Sequence, residues 1–302
     1  MTDKHKIHVI GGPTASGKSA HALKLAEEAD SVIINADSMQ IYDGLHMITA
    51  QPPVEDQALH PHQLYSALHP NDDCSAGNWR EMVEPLIIQV LAEGKTPIVV
   101  GGSGLYINAL LYGLSPIPDI PDEIRQKANE SYEQLGRVEF FKELERRDPI
   151  MAARFHPDHK ARIIRAWEVL EATGKSLSEW QAQDLIAPPD DWEFYVKLIM
   201  PEREALYDRC NERFVWMVEN GAVEEVEAFD QAIQAGEIKD NCLLTKALGV
   251  PALRAYLKGD MSKEEAITSA QAQTRQYAKR QVTWFRHQIK ENKNIAKIET
   301  FV

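Results

Sequence analysis

Residues 12–19 of this 302-residue chain read Gly-Pro-Thr-Ala-Ser-Gly-Lys-Ser, directly after the apolar run His8-Val9-Ile10. The pattern G-x-x-x-x-G-K-[ST] requires a strand, a tight glycine turn and a helix in that order. Its glycines let successive N–H groups turn inward around an anion at the positive end of the helix. Ala20, Leu23, Leu25 and Ala26 supply an apolar face for that helix. The segment Gly12, Pro13, Thr14, Ala15, Ser16, Gly17, Lys18 and Ser19 is therefore expected to cradle a phosphorylated small molecule. Lys18 adds a point charge, and Ser19 a hydroxyl suited to Mg2+. The plainer reading is a Gly-rich turn that happens to carry a lysine, and the motif fixes the anion but not the chemistry.

Strand and helix signals then alternate: strand 6–11, helix from about 17 to 29, strand 31–36, helix near 77–93, strand 97–100, and a helix opening at about Ser103. Such alternation predicts an α/β fold, a P-loop-type parallel sheet flanked by helices. From Ser115 to about Asp191 the pattern is helical only, opened by Pro116-Ile117-Pro118-Asp119-Ile120-Pro121 and closed by Pro188-Pro189-Asp190-Asp191. Phe194 to Met200 resumes a strand-like run, and long helices follow at about 202–220, 222–234 and 262–290. The expected organisation is one discontinuous core, 1–115 and 191–302, with an inserted all-helical lobe at 116–190.

With 44% hydrophobic and 26% charged residues the chain reads as an ordinary globular protein. No apolar run approaches a membrane span, and Met1-Thr2-Asp3-Lys4 leads straight into the first strand without a signal-peptide core. A cytoplasmic location without membrane association is expected. Cys74, Cys210 and Cys242 are odd in number and widely spaced, which argues against a disulfide framework or a structural zinc site. The net charge of −13 opposes casual nucleic-acid binding. Yet from Thr274 to Asn294 the cations Arg275, Lys279, Arg280, Arg286, Lys290 and Lys293 meet one acid, Glu291. An acidic body with one basic helix suits a selective RNA-binder.

Asp37 ends the second strand beside the phosphate loop, pointing into the crevice where parallel sheets bind ligands. A carboxylate there is a chemical base, a metal ligand or a turn-forming residue. The strand at 97–100 ends in Gly101-Gly102-Ser103, where two glycines allow close approach of a ligand and Ser103 either caps the next helix or faces an anion. Arg209 and Arg213 share a helix face at i,i+4 spacing, within reach of phosphates or of ion pairs with Glu204 and Glu212. Residues 274–286 interleave cations with Tyr277, Trp284 and Phe285. That mixture suits phosphates and unpaired bases, or a docked helix with an apolar face.

Six segments in order resemble the tRNA dimethylallyltransferase family: GPTASGKS at 12–19, NADSMQIY at 35–42, GGSGLY at 101–106, RIIRAWEV at 162–169, the Arg203/Arg209/Arg213 helix, and TRQYAKRQVTWFR at 274–286. The resemblance implies that the first loop holds the diphosphate of dimethylallyl diphosphate with Mg2+, and that Asp37 is the general base at the adenine N6 amine. It implies that Ser103, where the family usually has threonine, and Arg209 bond diphosphate oxygens. The partner is then a tRNA anticodon stem-loop whose adenosine 3′ of the anticodon flips out of the stack. Asp37, Ser38, Met39 and Gln40 would read that base, and Gln40 would offer its amide. Arg125, Arg162, Arg165, Thr245, Lys246 and Gly249 correspond to tRNA-contacting positions, and Arg275, Lys279 and Arg280 supply cations for phosphates. A monomer suffices for such a channel.

The chain departs from the family pattern at Asp43 and Gln51, where cations are usual, and at Val250 after Gly249. Three other readings stand beside prenyl transfer to tRNA. They are a P-loop kinase or NTPase, an enzyme prenylating free adenine nucleotides, and an RNA-binding homologue without turnover.

Overall fold

The computed structural model describes residues 4–302. Met1–Asp3, read above as leading straight into the first strand, lie outside the described residues. The chain divides into two compact units, one running to Tyr112 and resuming over Pro188–Val302, the other Gly113–Ala187.

The first unit opens with β1 (His5–Gly11), α1 (Lys18–Ala26), β2 (Ser31–Asn35), α2 (Val54–Leu59) and β3 (His62–Gln63). It continues through α3 (Ala76–Ala92), β4 (Thr96–Gly101) and α4 (Gly104–Tyr112). The helices of the second unit are α5 (Asp122–Arg147), α6 (Pro149–Ala152), α7 (Lys160–Thr173) and α8 (Leu177–Gln181). The first unit then resumes with β5 (Trp192–Ile199), α9 (Arg203–Glu219), α10 (Ala222–Gln234) and a 3-10 turn (Leu243–Lys246). It ends with α11 (Val250–Leu257), α12 (Lys263–Gln288) and β6 (Ile295–Phe301).

The six strands form one sheet in the order β3-β2-β4-β1-β5-β6, and every pair is parallel. β2 is buried throughout and β4 over Pro97–Gly101, as near-continuous apolar runs must be when a parallel strand is covered on both faces. Ile10, Ile33, Ile98, Val100 and Ile199 pack with Ala22 and Ala26 of α1. Trp79 of α3 stacks on Tyr106 of α4, with ring centroids 4.9 Å apart. Register does the positioning: Gly11 pairs with Gly101 and Asn35 with Val100, so β1, β2 and β4 end level with one another. The loops after them open onto a single crevice at the carboxyl edge of the sheet.

Beyond the alternation read from the sequence, the structure adds α2, β3, α11 and β6. β6 is a sheet edge bearing Lys197's neighbour Glu299 and the exposed Lys297, and charged edges discourage further strand pairing. Its seven residues have meaning as a strand only against β5.

The second unit has its own core, with Phe140, Leu144, Ile163, Trp167 and Val169 all buried. Within it, Leu114 and Ile186 pair as an antiparallel bridge, which brings the two ends of the segment together. α5 is broken at Gly136, whose φ of 74° leaves the helical region. Among the described residues no helix is long and apolar enough to cross a membrane.

Candidate active site

Gly17 closes the first loop with φ 93°, a left-handed conformation that glycine adopts without strain, and α1 starts at the next residue. The amides of Ala15, Gly17, Lys18 and Ser19 meet no protein acceptor among the described residues and surround the head of α1. They are donors for an anion. Lys18 curls back so that its Nζ donates to Pro13 O at 2.7 Å. Burial pushes its amine down from the ordinary 10.5 to about 8; the negative charge of Asp37 opposes the shift and the positive charge of Arg213 adds to it.

Asp37 is held by the strand before it. The buried Asn35 accepts the Asp37 N–H at 2.8 Å and donates to Asp37 O at 3.0 Å and Leu64 O at 2.9 Å. Trp79 Nε1 in turn donates to Asn35 O at 2.9 Å. Asp37 Oδ1 accepts the Met39 N–H at 3.0 Å, while Oδ2 lies against Gly102, where an added Cβ would sit 3.3 Å away. A Cβ on Gly101 would collide with the carbonyl of Ala36, so β2 and β4 approach each other here only because residue 101 has no side chain.

Two adjoining cavities meet at this carboxylate. The first, of about 440 Å3, is lined by Thr14–Ser19, Asp37, Gln40, Thr49, Ala50, Tyr65, Val100–Gly102, Arg209, Glu212 and Arg213. The second, of about 260 Å3, is lined by Met39, Ile48, Phe214, Met217, Lys246, Tyr277 and Arg280. Thr14, Asp37, Thr49 and Arg213 belong to both walls. The first is rich in free amides and brings Lys18, Arg209 and Arg213 together with Glu212; the second has apolar and aromatic walls and also carries Lys246 and Arg280. Burial, reinforced by the charge of Asp37, raises the phenols of Tyr65 and Tyr277, which stay protonated at neutral pH.

Several site residues sit differently from their sequence reading. Ser103 does not line the first cavity: its N–H donates to Ala36 O at 3.1 Å, its Oγ accepts the Ser38 N–H at 2.8 Å and donates to Ser38 Oγ at 3.1 Å. A hydroxyl has one proton, and here it steadies the Asp37–Ser38 turn instead of a phosphate oxygen. Gln40 was expected to present its amide donors to a base, but both are engaged by the carbonyls of Thr49 and Ala50, at 2.9 and 2.7 Å. Thr245 is buried with its hydroxyl on Cys242 O, and Gly249 packs on the Phe214 ring, so Lys246 is the polar group that this segment offers the second cavity. Gly12 and Pro13 shape the loop without lining the cavity.

The two arginines of α9 divide. Arg209 is exposed at the rim, whereas Arg213 is half-buried with its guanidinium desolvated and donates to Thr14 Oγ1 at 2.5 Å. Among the described residues neither makes an ion pair. A desolvated guanidinium with unused donors facing a cavity is the stronger anion ligand of the two. On α12, Arg275 is tied to Asn211, while Lys279 and Arg280 are exposed and Arg280 lies over the Tyr277 ring, 5.6 Å from its centroid. In the second unit Arg125 donates to Ile120 O at 3.1 Å, Arg165 pairs with Glu168 at 3.3 Å and Arg162 is exposed.

Glu225 and Gln281 escaped the sequence reading. Both oxygens of Glu225 accept backbone N–H groups, of Met47 at 2.8 Å and Ile48 at 2.9 Å, and so hold the segment that carries Thr49 to the site. Nothing in the local sequence marks Glu225. Gln281 carries a signal: it is a polar residue on the stripe Thr274, Ala278, Gln281, Phe285 that α12 buries. The departures at 43 and 51 belong to one network. Asp43 meets His46 at 2.8 Å, Ser66 links His46 to Gln51, and Gln51 Nε2 donates to Tyr42 O at 2.9 Å.

The IPP transferase family model matches residues 40–288, and the isopentenyl transferase model residues 5–65. A protein of Rhodospirillum centenum named tRNA dimethylallyltransferase is 46% identical over 289 residues, covering 96% of this chain and 91% of its own. Its Bradyrhizobium namesake is 45% identical over 293 residues, 96% and 93% of the two chains. Among solved structures, the full-length tRNA isopentenylpyrophosphate transferase of Bacillus halodurans superposes with a TM-score of 0.66 at 32% identity, over 99% of this chain and 90% of that one. A eukaryotic dimethylallyltransferase solved acting on tRNA gives 0.79 at 26% identity, over 93% and 70%.

Proposed function

This chain belongs to the IPP transferase family, and from that premise we propose that it transfers a dimethylallyl group from dimethylallyl diphosphate to N6 of the adenosine 3′ of the tRNA anticodon, releasing diphosphate. The observation that carries the reading is the shared wall. Asp37 stands between an amide-lined cavity with Lys18 and Arg213, fit for a diphosphate, and one with apolar and aromatic walls edged by Lys246 and Arg280, fit for a flipped base on its phosphate backbone.

The reaction follows from that placement. The N6 lone pair forms a bond to the allylic carbon while the carbon–oxygen bond to the diphosphate breaks, and the bonding electrons leave with the diphosphate. The N6 proton passes to the Asp37 carboxylate, relieving the charge that grows on an otherwise poor nucleophile. Lys18, Arg213 and the loop amides stabilise the charge on the leaving group, with Arg209 at the rim. The Ser19 hydroxyl at the head of the loop suits Mg2+. Among the described residues no cluster of three or more His, Cys, Asp or Glu could hold a metal unaided. Mg2+ with most of its ligands from diphosphate and water fits that donor set, and when bound it neutralises leaving-group charge. The phosphoryl-transfer and non-catalytic readings do not fit the named relatives.

The test is incubation with labelled dimethylallyl diphosphate, Mg2+ and an unmodified anticodon stem-loop, with AMP as rival acceptor. Label is expected in the RNA at the adenosine 3′ of the anticodon; label on AMP, or none, overturns the reading. Arg280 is exposed beside Tyr277 at the second cavity and is read as a phosphate contact. Arg280→Ala should weaken RNA binding and lower the slope of log K against log salt by about 1. An unchanged slope assigns Arg280 to packing.

A further inference from the structure

We propose that Gln281 is a positioning residue, a clamp between the two anion-facing loops that sets the affinity of the site for diphosphate. The inference rests on the diphosphate reading above. Gln281 is buried, and its Oε1 accepts the Thr14 N–H at 2.8 Å while its Nε2 donates to Gly102 O at 2.9 Å. One side chain of α12 thus joins the loop after β1 to the loop after β4, across 267 and 179 residues of sequence.

The chemistry selects this side chain. Thr14 N–H needs an acceptor and Gly102 C=O a donor, and a primary amide presents both at one uncharged tip. Glutamate keeps the acceptor but turns a lone pair toward the Gly102 carbonyl. Methionine matches the length and leaves both backbone groups unpaired.

The clamp also decides which amides face the anion. The Thr14 N–H is turned onto Gln281, whereas those of Ala15, Gly17, Lys18 and Ser19 have no protein acceptor among the described residues. Residue 14 is held from two sides, its backbone by Gln281 and its hydroxyl by Arg213. Gly102 is fitted just as closely, since an added Cβ would lie 2.6 Å from Gln281 Nε2 and 3.3 Å from Asp37 Oδ2. A loop released from the clamp must be ordered by its ligand, which weakens binding.

The probe is inorganic diphosphate with Mg2+, its Kd measured calorimetrically on the whole protein, alongside KM for dimethylallyl diphosphate and for the stem-loop. Gln281→Met and Gln281→Glu are each expected to weaken diphosphate binding by about 10- to 100-fold. The donor KM should rise with it and the RNA KM by much less. Gly102→Ala, which pushes the amide aside, should reproduce the effect, and the Gln281→Met/Gly102→Ala double variant should bind no more weakly than the worse single. If Gln281→Met does not fold, Gly102→Ala is read at the same probe.

A merely structural glutamine would lower Tm and active fraction while leaving both KM values and the diphosphate Kd as in wild type, and that result overturns the clamp alone. A wild-type protein that binds no diphosphate overturns the site reading and the clamp with it.

Discussion

Asp37→Asn is expected to lower single-turnover prenyl transfer by about 10²-fold or more, while the Kd for the stem-loop moves by no more than a few fold. The substitution is close to isosteric. An asparagine oxygen still accepts the Met39 N–H that Asp37 Oδ1 accepts at 3.0 Å, and the backbone bonds to Asn35 do not involve the side chain of residue 37. The turn and both cavity walls therefore persist. What disappears is the one carboxylate shared by those walls, and an amide cannot take the N6 proton. Turnover at the wild-type rate would remove Asp37 as the base.

Lys18→Met should separate function from stability. Loss of the cation beside the leaving group is expected to lower kcat/KM for the diphosphate donor by about 10² to 10³-fold, with RNA binding unchanged. The folded protein, in contrast, should gain stability near pH 7, because burial makes the charged amine unfavourable and holds it at about 8 instead of 10.5. The direction with pH follows from proton binding. Between about 8 and 10.5 the unfolded chain keeps its Lys18 proton and the folded chain has released it, so wild-type stability from this group rises with pH across that window. The Tm advantage of Lys18→Met should be full below pH 8 and shrink toward 10.5, measured without diphosphate. Wild-type affinity for inorganic diphosphate should decline above pH 8, where the free enzyme loses that charge. A Tm gap independent of pH would mean that Lys18 is not desolvated by the fold.

Much of the architecture is legible in the chain because it depends on neighbours in sequence. The Val32-Ile33-Ile34 and Ile98-Val99-Val100 runs require burial on two faces, and their alternation with helical segments leads to a parallel sheet. The strand, glycine turn and helix of residues 5–26 are set by adjacent residues, which place the loop's N–H groups at the head of α1. β6 is different, since its pairing with β5 arises from a contact about 100 residues long in sequence.

The site divides along the same line. Lys18 and Asp37 are visible in the sequence because each sits at a fixed offset from a strand end, and the sheet edge collects strand ends. Ser103 and Gln40 look equally available in the sequence, yet their hydroxyl proton and amide donors are taken by Ser38, Thr49 and Ala50. Spacing says where a polar group starts and not which partner reaches it first. Arg209 and Arg213 are alike on a helical wheel, and only the packing of α9 against α12 separates the exposed one from the half-buried one held on Thr14. By itself, then, the sequence determined the parallel sheet, the anion loop and the carboxylate beside it, all set by local pattern and chain order. The tertiary structure alone decided which side chains keep free donors, that Asp37 stands between two cavities, and that Gln281 joins loops far apart in the chain, because each depends on contacts between residues that the sequence does not bring together.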